Sequence, residues 1–241
     1  MSNIDRIGPT KRPDKKADGW QKWRDLLFVH WTIPVEALRP LIPARLEIDT
    51  YEGNAYIGLV PFMMNDVQPS WLPSMFAFNF LETNLRTYVH IDGKPGVYFF
   101  SLEAASILAV WTARKTFSLP YFHADMEMSK NGQLVEYRTT RTTGNHPTLT
   151  TKYTIGELLG ASAPDTLEHF LFERYLLFTE HEKQIYMGQV YHTPYQVQRA
   201  VVHELEEQLI VAAGLPQPEG PPLLSHYSAG VDVEVFNLLK V

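Results

Sequence analysis

The chain contains no cysteine. Disulfides, thiolate nucleophiles and cysteine-ligated zinc are therefore excluded. No apolar run is both long enough and free enough of charge to span a bilayer. The opening stretch MSNIDRIGPTKRPDKKADGW is polar and lacks the apolar segment of a secretory signal. No glycine-rich dinucleotide or phosphate fingerprint follows a strand-like run. Ser101, Ser225 and Ser228 lie outside any GxSxG context, which argues against a serine hydrolase. HExxH is absent, and His146, His181, His192 and His203 are not at compact metal-ligand spacing. A soluble, cytoplasmic protein with neither cofactor nor metal is expected. Positive charge is also scarce: 21 Lys and Arg stand against 27 Asp and Glu, for a net charge of -6. The cations are scattered, so neither nucleic acid nor an anionic membrane is the expected partner. A few arginines gathered at one place can still receive a small acidic ligand.

What is present is a β-rich pattern. Hydrophobic residues make up 45% of 241 positions, enough for a sizeable core. Residues 1–20 read as a flexible tail and 21–241 as a single domain. Strand-like runs occur at 26–33, 55–67, 76–91 and 97–104, with a turn at Asp92-Gly93 and a hairpin at Asn131-Gly132. Short helices are predicted after Pro34, over 166–174 and over 204–216, and a longer one across ASILAVWTARKTF. The acidic run 204–207 is expected on the solvated face of its helix. PLLSHYSAGVDVEVFNL reads as two closing strands, with Gly230 at a bulge or a close backbone approach. Many strands and few helices predict an α+β, mainly β fold: a curled antiparallel sheet or β-barrel with a few peripheral helices.

Three groups carry candidate chemistry. Glu82, Asn84 and Arg86 alternate along one strand and so share a face. Directed into a barrel, they must pair with each other or with a ligand. Arg86 would then grip a carboxylate, Asn84 would bind beside it and Glu82 would move a proton. Directed outward, they are a solvated face. Arg114 and Lys115 are adjacent cations behind an apolar segment, followed by Pro120 and Tyr121. Burial and like charge both favour a neutral lysine, which can form a Schiff base. A solvated helix end is the other reading of the pair. On a helix the two side chains point about 100° apart, so both do not easily face one cavity centre. His123, in PYFHAD, is a candidate acid or base, and Tyr121 a candidate ligand contact. PSWLPS (69–74) reads as a loop over a pocket.

The segments FVHWTIPVEALRPLIPARLEIDTYEG, NLRTYVHIDGKPGVYFFSLEA, ARKTFSLPYFHADM, GQVYHTPYQVQ and GLPQPEGPPLLSHYSAGVDVEVF resemble the YqjF-like family of uncharacterised conserved proteins. More remotely the chain is similar to acetoacetate decarboxylase. The shared skeleton is a strand, then ALRPLIPARLEID, then a glutamate-bearing strand, then a cation pair before a proline. That resemblance implies a double-cone β domain around a cavity. It also implies a lyase-like enzyme acting on a small keto or carboxylic acid, with Lys115 as the Schiff-base candidate. If the nucleophile's place falls on Arg114 instead, Schiff-base chemistry is lost, because guanidinium keeps its proton. A protein that binds an aromatic or acidic small molecule without turnover is the alternative reading. Barrel rims suit a homodimer.

Overall fold

The computed structural model describes residues 4–107, 110 and 119–241. Twelve strands form one sheet: β1 (Gly19–Ile33), β2 (Glu47–Ile48), β3 (Ala55–Pro69), β4 (Phe78–Ile91), β5 (Lys94–Ala104), β6 (Tyr121–Asn131), β7 (Leu134–Arg141), β8 (Thr148–Gly160), β9 (Leu176–His181), β10 (Gln184–Tyr191), β11 (Val197–Glu207) and β12 (Leu224–Lys240). Among the described residues, short α-helices accompany them, including α1 (Val35–Leu38), α2 (Leu167–Phe172) and α3 (Leu209–Ala212). The strand order is β10-β9-β5-β6-β7-β8-β11-β12-β1-β3-β4-β2, with β4 also pairing β5 and β10 also pairing β12. These two extra pairings fold the sheet back on itself. β5 pairs in parallel with β6 and β9, and every other strand pair is antiparallel. No described helix is long and apolar enough to cross a membrane.

Curling gives the central strands no solvent face. In β1, Leu27, Val29, Trp31 and Ile33 enter one core, while Leu26 and Phe28 enter a second. β3 splits likewise, with Ile57 and Leu59 on one side and Tyr56, Val60 and Phe62 on the other. β4 sends Leu85, Val89 and Ile91 to the first core and Phe80 and Tyr88 to the second. A strand buried on both faces loses the apolar-polar alternation of a half-wet strand. That is why Phe80 and Leu85 fall on opposite parities in the sequence. The even positions of β4 face the second core, and Glu82, Asn84 and Arg86 are even.

Two expectations fail. The helix over 204–216 contracts to α3, and the acidic run 204–207 belongs to β11. Glu204, Leu205, Glu206 and Glu207 pair with Lys152, Thr151, Thr150 and Leu149 of β8. The cross-strand hydrogen bonds outweigh the mild helix preference of glutamate. The closing segment is one long strand rather than two. It stays continuous because Gly230, at φ +132°, accommodates the approach of β1. The segment expected to be a tail supplies Gly19 and Trp20 to β1. Arg6 also forms a two-pronged ion pair with the buried Asp49, both distances 2.7 Å.

An added Cβ at Gly230 would lie 2.0 Å from the Trp23 carbonyl oxygen. Gly230→Ala should therefore destabilise the protein by about 2–4 kcal/mol, read as a lowered urea midpoint at unchanged m-value.

Candidate functional site

Inside the second core lies a cavity of about 370 Å³. That is within the range of about 300–1,000 Å³ usual for small-molecule pockets. β4 runs along its length. Trp71 and Phe78 stand at one end, followed by Phe80, Glu82, Asn84 and Arg86, with Arg174 beyond. The walls are mainly apolar and aromatic, including Phe28, Phe62, Leu102 and Phe172. The adjoining strands explain the lining: Phe62 stands opposite Glu82 and Val60 opposite Asn84 on β3, and Leu102 stands opposite Asn84 on β5.

Glu82 is buried, and its Oε2 accepts a 2.8 Å hydrogen bond from the Tyr121 hydroxyl. Burial pushes its carboxyl up to about 8; the Tyr121 bond opposes the shift and the negative charge of Glu103 adds to it. The Glu82 carboxyl is thus mostly protonated at neutral pH. Behind β4, the Tyr137 hydroxyl donates to the Glu82 carbonyl oxygen at 2.9 Å, fixing the strand from its other face. Asn84 keeps its side-chain oxygen buried without a donor.

Arg86 is the anomaly. It is only 9% exposed, and its one hydrogen bond runs from Nη2 to the Leu171 carbonyl oxygen at 3.2 Å. Its Nε has no acceptor. No carboxylate pairs with it among the described residues, and residues 108–118 contain no acid. The histidines near it add no charge. The Tyr88 hydroxyl donates to the same Leu171 oxygen at 3.1 Å, so His30 Nε2, 2.8 Å from that hydroxyl, must be the donor. Burial first, then the charges of Arg86 and His226, hold His30 well below its usual range. Burial likewise lowers His192 to about 4. The Phe28 and Tyr88 rings lie 5.7 and 5.8 Å from the guanidinium carbon, near the limit for cation–π attraction of about 6 Å.

Of the predicted site residues, Glu82, Asn84, Arg86 and Tyr121 come together around the cavity. His123 is not among its lining residues; its Nδ1 lies 3.2 Å from the Thr142 hydroxyl. Arg114 and Lys115 lie outside the described residues. The loop predicted over a pocket contributes Ser70 and Trp71 to the lining. Arg174, Tyr175 and Tyr195 also line the cavity and were missed. The signal for Arg174 and Tyr175 was present in FLFERYLLF, where a charged pair is bracketed by apolar residues on both sides. Among the described residues no group of His, Asp and Glu could hold a metal ion.

The sign of the pH dependence follows from Glu82. A carboxyl with a raised native pKa binds more protons folded than unfolded, so its contribution to stability is full below about 4.5 and is lost as pH rises through about 8. The buried histidines act in the opposite sense, mainly below about 6.5. Stability should therefore fall between pH 6.5 and 8.5, and Glu82→Gln should flatten that fall by about 2 kcal/mol. Urea unfolding of both proteins at several pH values in that window is the check; parallel curves would refute the assignment.

Comparison with known proteins agrees with this architecture. Residues 20–232 match the family model DUF2071, described as an uncharacterised conserved protein. The uncharacterised protein YqjF of Bacillus subtilis (strain 168) is 40% identical over 221 residues, covering 91% of each chain. The enduracididine biosynthesis enzyme MppR, solved with pyruvate, is similar at a TM-score of 0.65 and 11% identity, over 95% of this chain and 93% of that one. Acetoacetate decarboxylase from Legionella pneumophila subsp. pneumophila str. Philadelphia 1 gives a TM-score of 0.64 at 10% identity, over 98% and 92%. Likeness at that identity carries the fold alone, which is acetoacetate decarboxylase-like. The sequence relationship carries more: this chain belongs to the DUF2071 family of uncharacterised conserved proteins, alongside YqjF.

Proposed function

We propose that the cavity receives a small keto or carboxylic acid and that the protein acts on it as a lyase-like enzyme of the cytoplasm. The observation that carries this reading is Arg86, a buried cation without an anion on the wall of an apolar cavity. Such a charge is costly to keep, and an incoming carboxylate would supply its missing counter-ion in a two-pronged geometry. Asn84 Oδ1 would accept a hydrogen bond from a ligand hydroxyl, or from an enol once it forms. Glu82, protonated at neutral pH, would deliver a proton to a carbon that gains an electron pair, with Tyr121 orienting the carboxyl.

The covalent part of the reading belongs to Lys115. Its neutral amine would attack the keto carbon and expel water as the iminium forms. Loss of carbon dioxide from a β-keto acid would send the C–C electron pair into the iminium, giving an enamine. Proton transfer from Glu82 to carbon and hydrolysis would then release the ketone and free the lysine. The pyruvate held by MppR, a solved neighbour of the same fold, supports a keto acid as the ligand class.

Arg86→Met should raise the stability of the ligand-free protein by about 1–3 kcal/mol, by removing an uncompensated buried charge. The same change should weaken binding of a keto acid about 100-fold. That pairing, read by urea unfolding and calorimetric titration, marks a residue retained for a ligand. Loss of stability with unaltered binding would reject the role. Borohydride reduction with a panel of β-keto acids should leave a mass adduct on Lys115. Thermal stabilisation by those acids with neither adduct nor turnover would instead favour a binding protein without chemistry.

A further inference from the structure

Arg174, like Arg86, lines the cavity. Its side chain is 2% exposed. Arg174 Nε donates to the Phe170 carbonyl oxygen at 2.6 Å, and Arg86 Nη2 donates to the next carbonyl, that of Leu171. Consecutive carbonyls of α2 therefore hold both guanidiniums. Each guanidinium carbon also lies within 6 Å of the Tyr88 ring centre, at 5.8 Å for Arg86 and 5.1 Å for Arg174. Arg174 Nη2, like Arg86 Nε, is buried with no acceptor.

The charges around the pair do not cancel. Arg174 Nη1 binds Asp49 Oδ2 at 2.7 Å, but Asp49 also carries the two-pronged bond from Arg6. One carboxylate thus serves two guanidiniums, and that trio keeps a net positive charge. Glu173, the next acid, engages its oxygens with the Tyr175 hydroxyl at 2.6 Å and the Tyr195 amide at 3.2 Å. It pairs with neither arginine. Arg86 Nε and Arg174 Nη2 thus remain two buried guanidinium donors without acceptors at this end of the cavity, while Phe80, Phe78 and Trp71 line it toward the other end of β4.

Resting on the acid-binding reading above, and extending it, we infer that the ligand is a dianion. Two anionic groups meet Arg86 and Arg174 together, and an apolar or aromatic tail runs along β4 toward Trp71. A lone carboxylate gripped by one guanidinium leaves the open donor of the other unmet. A dicarboxylate head and a phosphoryl head both supply acceptors for the second guanidinium, and the probes separate them.

Calorimetric titration of the full chain with three probes tests this: 2-benzylsuccinate, 4-phenylbutanoate, which lacks one carboxylate, and benzylphosphonate. 2-Benzylsuccinate should bind at least 10-fold more tightly than 4-phenylbutanoate at low ionic strength, with the margin shrinking as salt is added. Arg174→Gln should erase the margin. A larger margin for benzylphosphonate than for 2-benzylsuccinate also supports the dianion and assigns the head to a phosphoryl group. Equal affinities of the wild-type chain for all three probes would overturn the dianion and leave the single-carboxylate reading intact. Binding of none of them would overturn both. The comparison among probes on the wild-type protein stands even if the variant folds poorly.

Discussion

A guanidinium inside a protein needs a counter-ion, water or a ligand, and Arg86 has a carbonyl oxygen and two distant ring faces instead. The rest of the architecture keeps it in that condition. Curling of the sheet removes the solvent face of β4, so the charge cannot turn outward. Pairing of β4 with both β3 and β5 fixes the register that sets Glu82, Asn84 and Arg86 on one face. A Leu171 carbonyl shared with Tyr88 ties the guanidinium to α2 without neutralising it. A site of this kind trades stability for readiness: its polar groups are oriented before any ligand arrives.

Much of this was legible in the residues. Alternation placed Glu82, Asn84 and Arg86 on one face, the glycine-bearing turns at Asp92-Gly93 and Asn131-Gly132 set the hairpins, and Gly230 marked a close backbone approach. The direction in which the triplet faces was not legible, because β4 shows no solvent side to contrast with it. Closure of the sheet decides that direction, and closure rests on pairings between strands far apart in sequence. The same long-range pairing turned 204–207 from a helix face into a strand. FLFERYLLF marks Arg174 as a cation among apolar residues, but its setting depends on Asp49, which lies 125 residues away.

The two cores share walls. On the back face of β4, the Thr83 hydroxyl donates to the Tyr137 hydroxyl at 3.2 Å, and Tyr137 reaches on to the Glu82 carbonyl. On the same side, Glu103 is tied to Arg141 and to Ser101. Polar contacts in one lobe therefore set the backbone on which the cavity groups of the other are mounted. Interiors packed at this density transmit small displacements rather than absorb them.

Asp49 links the beginning of the chain to the far end of the cavity, because Arg6 and Arg174 hold opposite sides of one carboxylate. Burial alone would push that carboxyl up; the two guanidiniums hold it below its ordinary value. The amino-terminal segment is in this sense a buckle, and the site it fastens lies well away from it in sequence. Loss of the Arg6 guanidinium would loosen the buckle and with it the setting of Arg174.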